Sequence, residues 1–213
     1  MLAALAIAFV LLLCALTAFE LALPRIGAAR IRARLTRDGG TADVSIAARP
    51  AWRLLRNSGD RLEVRGRGLH IGLADQGTGA PAGLSALDGF DEVDIELTDF
   101  STGPLLVAAF VMTRIGGGTY AMAAEGTTSG RDLLRFGDPW LRTAIPGGGL
   151  LGSVAGGAPL TDRRVSVSIE IELISDEHGL RVGSGGGSIA GYPAGPLATS
   201  VAVAVARRLE IVP

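Results

Sequence analysis

The chain has 213 residues, enough for one domain of ordinary size with an appendage. Hydrophobic residues make up 48% and charged residues 19%, which excludes a disordered chain and indicates contact with lipid or unusually extensive apolar burial. The net charge of −1 gives no electrostatic indication of nucleic-acid binding.

The first nineteen residues, MLAALAIAFVLLLCALTAF, carry no charge. A helix of about 20 such residues rises about 30 Å, the thickness of a bilayer's hydrocarbon core. Three interpretations remain open: an uncleaved anchor, a cleaved signal peptide and a lipoprotein acylated at Cys14. The signal peptide has only a weak cleavage site at residues 15–17 and no basic leader, and Leu13 is large for a lipoprotein. We therefore predict a transmembrane anchor or signal helix over residues 1–23.

A helix is predicted next, over residues 24–37, with Pro24 at its start and two glycines after its end. Ala28, Ile31 and Leu35 share one face of this helix, and arginines share another. A strand over residues 30–35 also remains open, because these residues alternate. By the positive-inside rule, the arginines that follow the apolar segment would keep the domain cytoplasmic.

Short strands and turns dominate the following stretch. A strand is predicted over 43–47, and Pro50 then opens a short helix with Trp52 and Leu55 pointing inward. Apolar alternation over 61–73 slips by one residue at the glycines of 66–68, which is typical of a β-bulge. Residues 75–89 are a predicted loop, and 93–97 a further strand.

The second half continues the β pattern. Residues 105–112 and 119–125 are apolar on both faces, joined by a glycine turn at 116–118, so we expect both faces of these strands to be covered. Residues 164–173 alternate most clearly, and 180–182 pair back on them. Helical segments are predicted over 131–136 and after Pro196, where alternating valines leave a strand open. Turns between these strands favour an antiparallel meander.

Catalytic and metal-binding patterns are few. Residues 147–152 match G-x-G-x-x-G but lack the flanking strand and helix of a dinucleotide site. Residues 186–190 differ by one residue from a nucleophile elbow, so a hydrolase using Ser188 stays open as an alternative. One cysteine and two histidines, His70 and His178, argue against a disulfide framework and a metal site. We predict no catalytic residue, no metal, no cofactor and no enzymatic activity.

A bent sheet with a strongly apolar inner face can enclose a ligand. Small side chains such as Ala108, Ala121 and Ala124 leave space in such an interior, which would suit acyl chains. The alternative is a solid β domain without a lumen. Residues 137–161 are apolar but rich in glycine, which predicts a loop or lid that packs on the domain or touches the membrane.

The order of elements carries a resemblance. It rests on the N-terminal apolar segment with the arginine-rich helix 25–37, and on Asp43–Ile71, Leu87–Val107 and Tyr120–Phe136. Over residues 20–210 this pattern of apolar positions and turns resembles the LmeA-like phospholipid-binding family of actinobacterial cell-envelope proteins. The resemblance implies an extracytoplasmic domain on the cell membrane that holds phospholipid between a curved sheet and helices, as in tubular lipid-binding folds.

These observations lead to one expectation. Residues 24–213 are predicted to form an α+β domain, a curved antiparallel β-sheet wrapped around one or two helices, that binds phospholipid at the membrane without catalysis. The predicted lumen is lined by Val93, Ile95, Leu97, Val165, Val167, Ile169 and Ile171. Trp140 and Leu141 are expected at its entrance, and Arg142, Arg163 and Arg164 at a phosphate. The alternative function is a membrane-anchored protein that supports an envelope enzyme and holds no lipid.

Overall fold

A computed structural model describes residues 2–72, 84–103, 105–129, 164–176, 179–189 and 192–193, together with Ala202, Val205 and Leu209. Within these residues a long helix, α1 (Leu2–Leu35), is followed by a 3-10 helix (Ala51–Arg56), a short helix α2 (Ser85–Asp88) and nine strands of one sheet. The strands are β1 (Thr41–Ala47), β2 (Gly59–Arg67), β3 (His70–Ile71), β4 (Phe90–Thr102), β5 (Leu105–Gly116), β6 (Thr119–Ser129), β7 (Arg164–Asp176), β8 (Gly179–Ile189) and β9 (Tyr192–Pro193). The predicted α+β class is confirmed.

The sheet is mixed, so the prediction of a purely antiparallel meander is wrong. Its order is β1-β2-β4-β5-β6-β7-β8-β9, and neighbours are antiparallel except that β2 and β3 both pair parallel with β4. A parallel pair needs a crossover of a dozen or more residues, and the 18 residues between Ile71 and Phe90 provide one. Turn signals in a sequence predict where a chain changes direction but not which neighbour the next strand joins.

Helix α1 extends through Pro24, which was predicted to start a helix. Proline removes one N–H from the helix interior, a loss that costs one hydrogen bond without ending the helix here. The predicted inward face is confirmed, with Ile31 and Leu35 buried and Ala28 partly buried. Among the described residues we find no helix that is both long enough and apolar enough to cross a membrane.

The short helix after Pro50 has the opposite face buried from the one predicted. Trp52 and Leu55 are 46% and 58% exposed, whereas Ala51 and Leu54 are buried. The segment is a 3-10 helix with three residues per turn, so positions three apart share a face. The sequence did not indicate which of the two faces, 51 and 54 or 52 and 55, would turn inward.

One face of the sheet, here called the inner face, carries the apolar core, and the opposite one is the outer face. The predicted phase slip is confirmed, since both Leu69 and Ile71 are buried, but it is not a β-bulge: β2 ends at Arg67 and a separate strand, β3, begins at His70. The glycine turn between β5 and β6 is also confirmed. The expected cover on both faces of β5 is not found, because outward-facing Leu106 and Val111 are 43% and 40% exposed.

Candidate functional site

Six of the seven predicted lumen residues lie on the inner face and are 0–5% exposed; these are Val93, Ile95, Leu97, Val167, Ile169 and Ile171. The seventh, Val165, is partly buried. They come from β4 and β7, which lie three strand spacings or about 14 Å apart. The structure therefore brings them to one apolar surface, on two strands that are separated by two others.

Cross-strand rows connect the two sets. In one row the register is Val44, Val64, Ile95, Met112, Met122 and Ile171, from β1 to β7. In the next row it is Leu97, Phe110, Ala124 and Ile169. The second row thus has one small side chain among three large ones, and the inner face is a continuous apolar surface.

Two elements pack against this surface. Ile31 and Leu35 of α1 join the core, and α1 contacts β1 and the 3-10 helix at one edge of the sheet. Ala202, Val205 and Leu209 join the same core and are at most 1% exposed. Ala202 and Val205 are helical and three residues apart, which puts them on one side of a helix, and Leu209 lies in a turn. The side chains of the inner face are therefore largely covered by protein.

The inner face ends in polar groups at the far end of β4. Thr102 is fully buried, and its hydroxyl has no hydrogen-bond partner among the described residues. Leu105 lies beside it on β5, and then Thr128 on β6 and Val165 on β7. Arg164, one residue beyond Val165, is exposed. This end of the sheet thus has an unpartnered hydroxyl on β4 and, three strand spacings or about 14 Å away, an exposed cation on β7.

Other predicted site residues are not placed. Trp140, Leu141, Arg142 and Arg163 lie outside the described residues, as do the 137–161 loop and the predicted helix 131–136. Ser188 is part of β8, opposite Ser168. Within the residues that the structure describes, no three His, Cys, Asp or Glu side chains come together as a metal site.

A groove of about 600 Å³ crosses the outer face and was not predicted. One side follows the register row His70, Ser101, Leu106, Thr127 and Ser166, from β3 to β7. The other side includes Asp99 and Glu125. Asp99 has a φ of 51° and interrupts the pairing of β4, and Ala108 bulges from β5 beside it. These irregularities produce the hollow, whose polar groups are mostly hydrogen-bond acceptors and hydroxyls.

A buried polar cluster around Asp88, here called the Asp88 cluster, was also missed. The Tyr120 hydroxyl donates to Asp88 Oδ1 at 2.8 Å, and the Ser175 hydroxyl donates to Asp88 Oδ2 at 2.6 Å. Arg114 Nη1 donates to the Asp88 carbonyl at 2.8 Å, and the Leu84 N–H to Ser175 Oγ at 3.3 Å. Together these bonds hold α2 against strands β5, β6 and β7.

The Asp88 cluster perturbs one ionisable group strongly. Burial raises the pKa of Tyr120 far above its ordinary value of 10.0, and the charge and hydrogen bond of Asp88 raise it further. The neighbouring Arg114 acts in the opposite direction but does not compensate. A phenol that stays neutral and donates to a carboxylate is a structural group, because it neither gives up nor accepts a proton near neutral pH.

Comparison with known proteins gives no match: no family model, no curated protein and no solved structure is significantly similar to this chain. The functional interpretation therefore depends on the geometry of the inner face, its polar end and the outer groove.

Proposed function

We propose that the protein is a non-enzymatic phospholipid-binding protein of the cell envelope, which holds acyl chains against the inner face of its sheet. Phospholipids are amphiphiles, and a site for one needs a long apolar surface with polar groups at one end. The cross-strand rows from Val44 to Ile171 supply such a surface. Because the inner side chains are covered, entry of an acyl chain has to displace side chains of the core such as Ala202, Val205 and Leu209.

The observation that carries this proposal is the buried, unpartnered hydroxyl of Thr102. Leaving such a group unsatisfied costs about 1–3 kcal/mol, so an apolar residue of the same shape would be more stable there. A hydroxyl at this position is explained if a ligand supplies its partner, and an ester carbonyl of a phospholipid has the required acceptor. Arg164 lies at the same end of the sheet, three strand spacings or about 14 Å from Thr102, so a phosphate that it binds would have to extend along that end from the ester.

The location belongs to the same proposal. The uncharged residues 1–19 would attach the chain to the cell membrane, and the resemblance to the LmeA-like family favours a domain outside the cytoplasm. A curved sheet wrapped around helices, as in tubular lipid-binding folds, is the finer architecture that this function requires. An envelope enzyme is a further partner under this proposal.

Native mass spectrometry of the detergent-purified chain tests the lipid site. We expect phospholipid masses to co-purify with the wild type and to be markedly reduced in Thr102→Val. The same variant should unfold at a higher denaturant concentration than the wild type does. Thr98→Val is the matched control, because Thr98 is exposed on the outward side of the same strand. Arg164→Gln should lower retention of anionic lipid, with exposed Arg181→Gln as its control. A wild type free of lipid would refute the proposal.

A second candidate is the anchored interaction protein that holds no lipid. The observation in its favour is the groove of the outer face, whose lining includes Asp99, Glu125 and four hydroxyl side chains. Such a lining suits a hydroxylated or cationic group of a partner better than a phosphate, since carboxylates repel anions. A folded wild type without bound lipid that captures an envelope enzyme would favour this function.

A further inference from the structure

The outward side of the 3-10 helix carries two large apolar side chains in water. Trp52 and Leu55 are 46% and 58% exposed, while Ala51 and Leu54 anchor the same helix in the core. Side chains three apart eclipse one another on a 3-10 helix, so the indole and the leucine form one ridge. The burial of the opposite side fixes this ridge in position on the domain.

The ridge continues onto α1. Glu20 Oε2 accepts a hydrogen bond of 2.7 Å from the Ala51 N–H, which joins the start of the 3-10 helix to α1. Leu16 and Leu13 lie on the same face of α1 as Glu20, one and two turns nearer the N-terminus. They are 53% and 47% exposed. The exposed apolar surface therefore extends over two elements that are bonded to each other.

Positive charge is concentrated in the same part of the chain. Residues 20–56 contain eight arginines and three carboxylates, whereas the rest of the chain contains twelve arginines and eighteen carboxylates. The Arg56 guanidinium lies over the Trp52 ring, 5.3 Å from its centroid. Arg25 and Arg56 make no ion pair with the described residues. Asp60 and Asp91 pair with Arg53 of the same 3-10 helix, so the positive charge beside the ridge that no described carboxylate pairs comes from Arg56 and, on α1, from Arg25.

We propose that the 3-10 helix and the adjoining turns of α1 are a docking surface for the headgroup region of an anionic phospholipid bilayer. Indole rings favour the interface between headgroups and acyl chains, a leucine can enter the acyl region, and guanidinium groups bind phosphate. A second copy of the chain fits less well, because a symmetric contact would bring two net-positive surfaces together. This inference rests on the proposed membrane location but not on lipid binding at the inner face.

Trp52 is the probe for the test. The full chain carrying Trp140→Phe keeps Trp52 as its one tryptophan, and it is added to vesicles of phosphatidylcholine or of equal parts phosphatidylcholine and phosphatidylglycerol. In the anionic vesicles, we expect lipids brominated near the headgroup to quench the fluorescence of Trp52. Aqueous acrylamide should quench it less than it does without vesicles. If acrylamide quenches Trp52 equally with and without these vesicles, the proposal is overturned.

A tether formed by α1 alone would also bring Trp52 near lipid, so variants of the ridge are needed. Leu55→Ser with Arg56→Glu should reduce quenching by the brominated lipid by more than half. Leu106→Ser is the control, because Leu106 is 43% exposed on the outer face of β5 and should leave the quenching unchanged. Equal quenching in all three proteins, or acrylamide protection without brominated-lipid quenching as in a dimer, would refute the docking surface.

Native mass spectrometry of the same proteins separates the two proposals. The ridge variant should keep its bound phospholipid, because Leu55 and Arg56 are exposed on the side of the 3-10 helix opposite Leu54, which joins the core. Loss of quenching with retained lipid therefore supports the docking surface and leaves the lipid site intact. Quenching in a wild type that carries no lipid would support the docking surface and refute the lipid site.

Discussion

Removing the Tyr120 hydroxyl should destabilise the domain in a way that depends on pH. Tyr120→Phe keeps the ring in the core and deletes the hydrogen bond of 2.8 Å to Asp88 Oδ1. Hydrogen bonds to charged groups contribute about 1.5–3 kcal/mol, and this is the expected loss in the free energy of unfolding at pH 7. With a urea dependence of about 2 kcal/mol per molar, the midpoint should fall by roughly 1 M.

The pH dependence follows from the raised pKa of Tyr120. Above pH 10 the unfolded chain loses the phenolic proton, whereas the folded chain keeps it. The folded state then binds more protons, so stability from this group is complete below pH 10 and falls above it. The slope is about 1.4 kcal/mol per pH unit, and Tyr120→Phe should lack it.

Urea unfolding of both proteins at several pH values between neutral and alkaline measures the two effects together. Ser175→Ala is the control, because it removes the other hydroxyl that donates to Asp88 and leaves Tyr120 in place. It should lower stability at pH 7 but preserve the alkaline slope. Parallel pH profiles for wild type and Tyr120→Phe would refute the assignment of the slope to this buried phenol.

Three further pairs of substitutions test local features of the fold. Glu20→Ala removes the acceptor of the Ala51 N–H and should cost about 1–3 kcal/mol, with Glu20→Gln less harmful, as thermal unfolding would show. Leu54→Ala should lower the free energy of unfolding by about 2–5 kcal/mol, and Leu55→Ala by less than about 0.5 kcal/mol. Equal losses in denaturant titrations would contradict the finding that Leu54 is buried and Leu55 exposed. Gly117 and Gly118 both have positive φ, but only at Gly118 would a Cβ meet Ser175 O, at 2.5 Å. Gly118→Ala should therefore destabilise the domain more than Gly117→Ala does, and the order of the two melting temperatures checks this.

Local patterns in the sequence predicted those parts of the fold that local forces determine. The alternation of β7, the inward face of Ile31 and Leu35 and the glycine turn after β5 each depend on neighbouring residues, and each is present. The parallel partner of β2 depends on contacts between segments far apart in the chain. Which face of the 3-10 helix is buried depends on its period of three residues. A segment of six residues is too short to show that period in its sequence.

The candidate sites were less predictable for the same reason. The inward residues of β4 and β7 follow from alternation, and they were found. The Asp88 cluster unites residues that are 32 and 87 positions apart, so no spacing pattern indicates it. Nothing in the sequence distinguishes Thr102, with its unpartnered buried hydroxyl, from exposed Thr98 on the same strand. The Asp88 cluster and the burial of Thr102 become apparent only in the three-dimensional structure.

The two proposed lipid contacts lie at opposite ends of β4, and this separation constrains how the protein would work. The 3-10 helix is beside the start of the strand, where Arg53 reaches Asp91 at 3.5 Å, and Thr102 is its last residue. Thirteen strand residues span at most about 40 Å. A molecule docked on a bilayer by Trp52 and Leu55 would therefore hold a phospholipid with its polar group directed away from that bilayer.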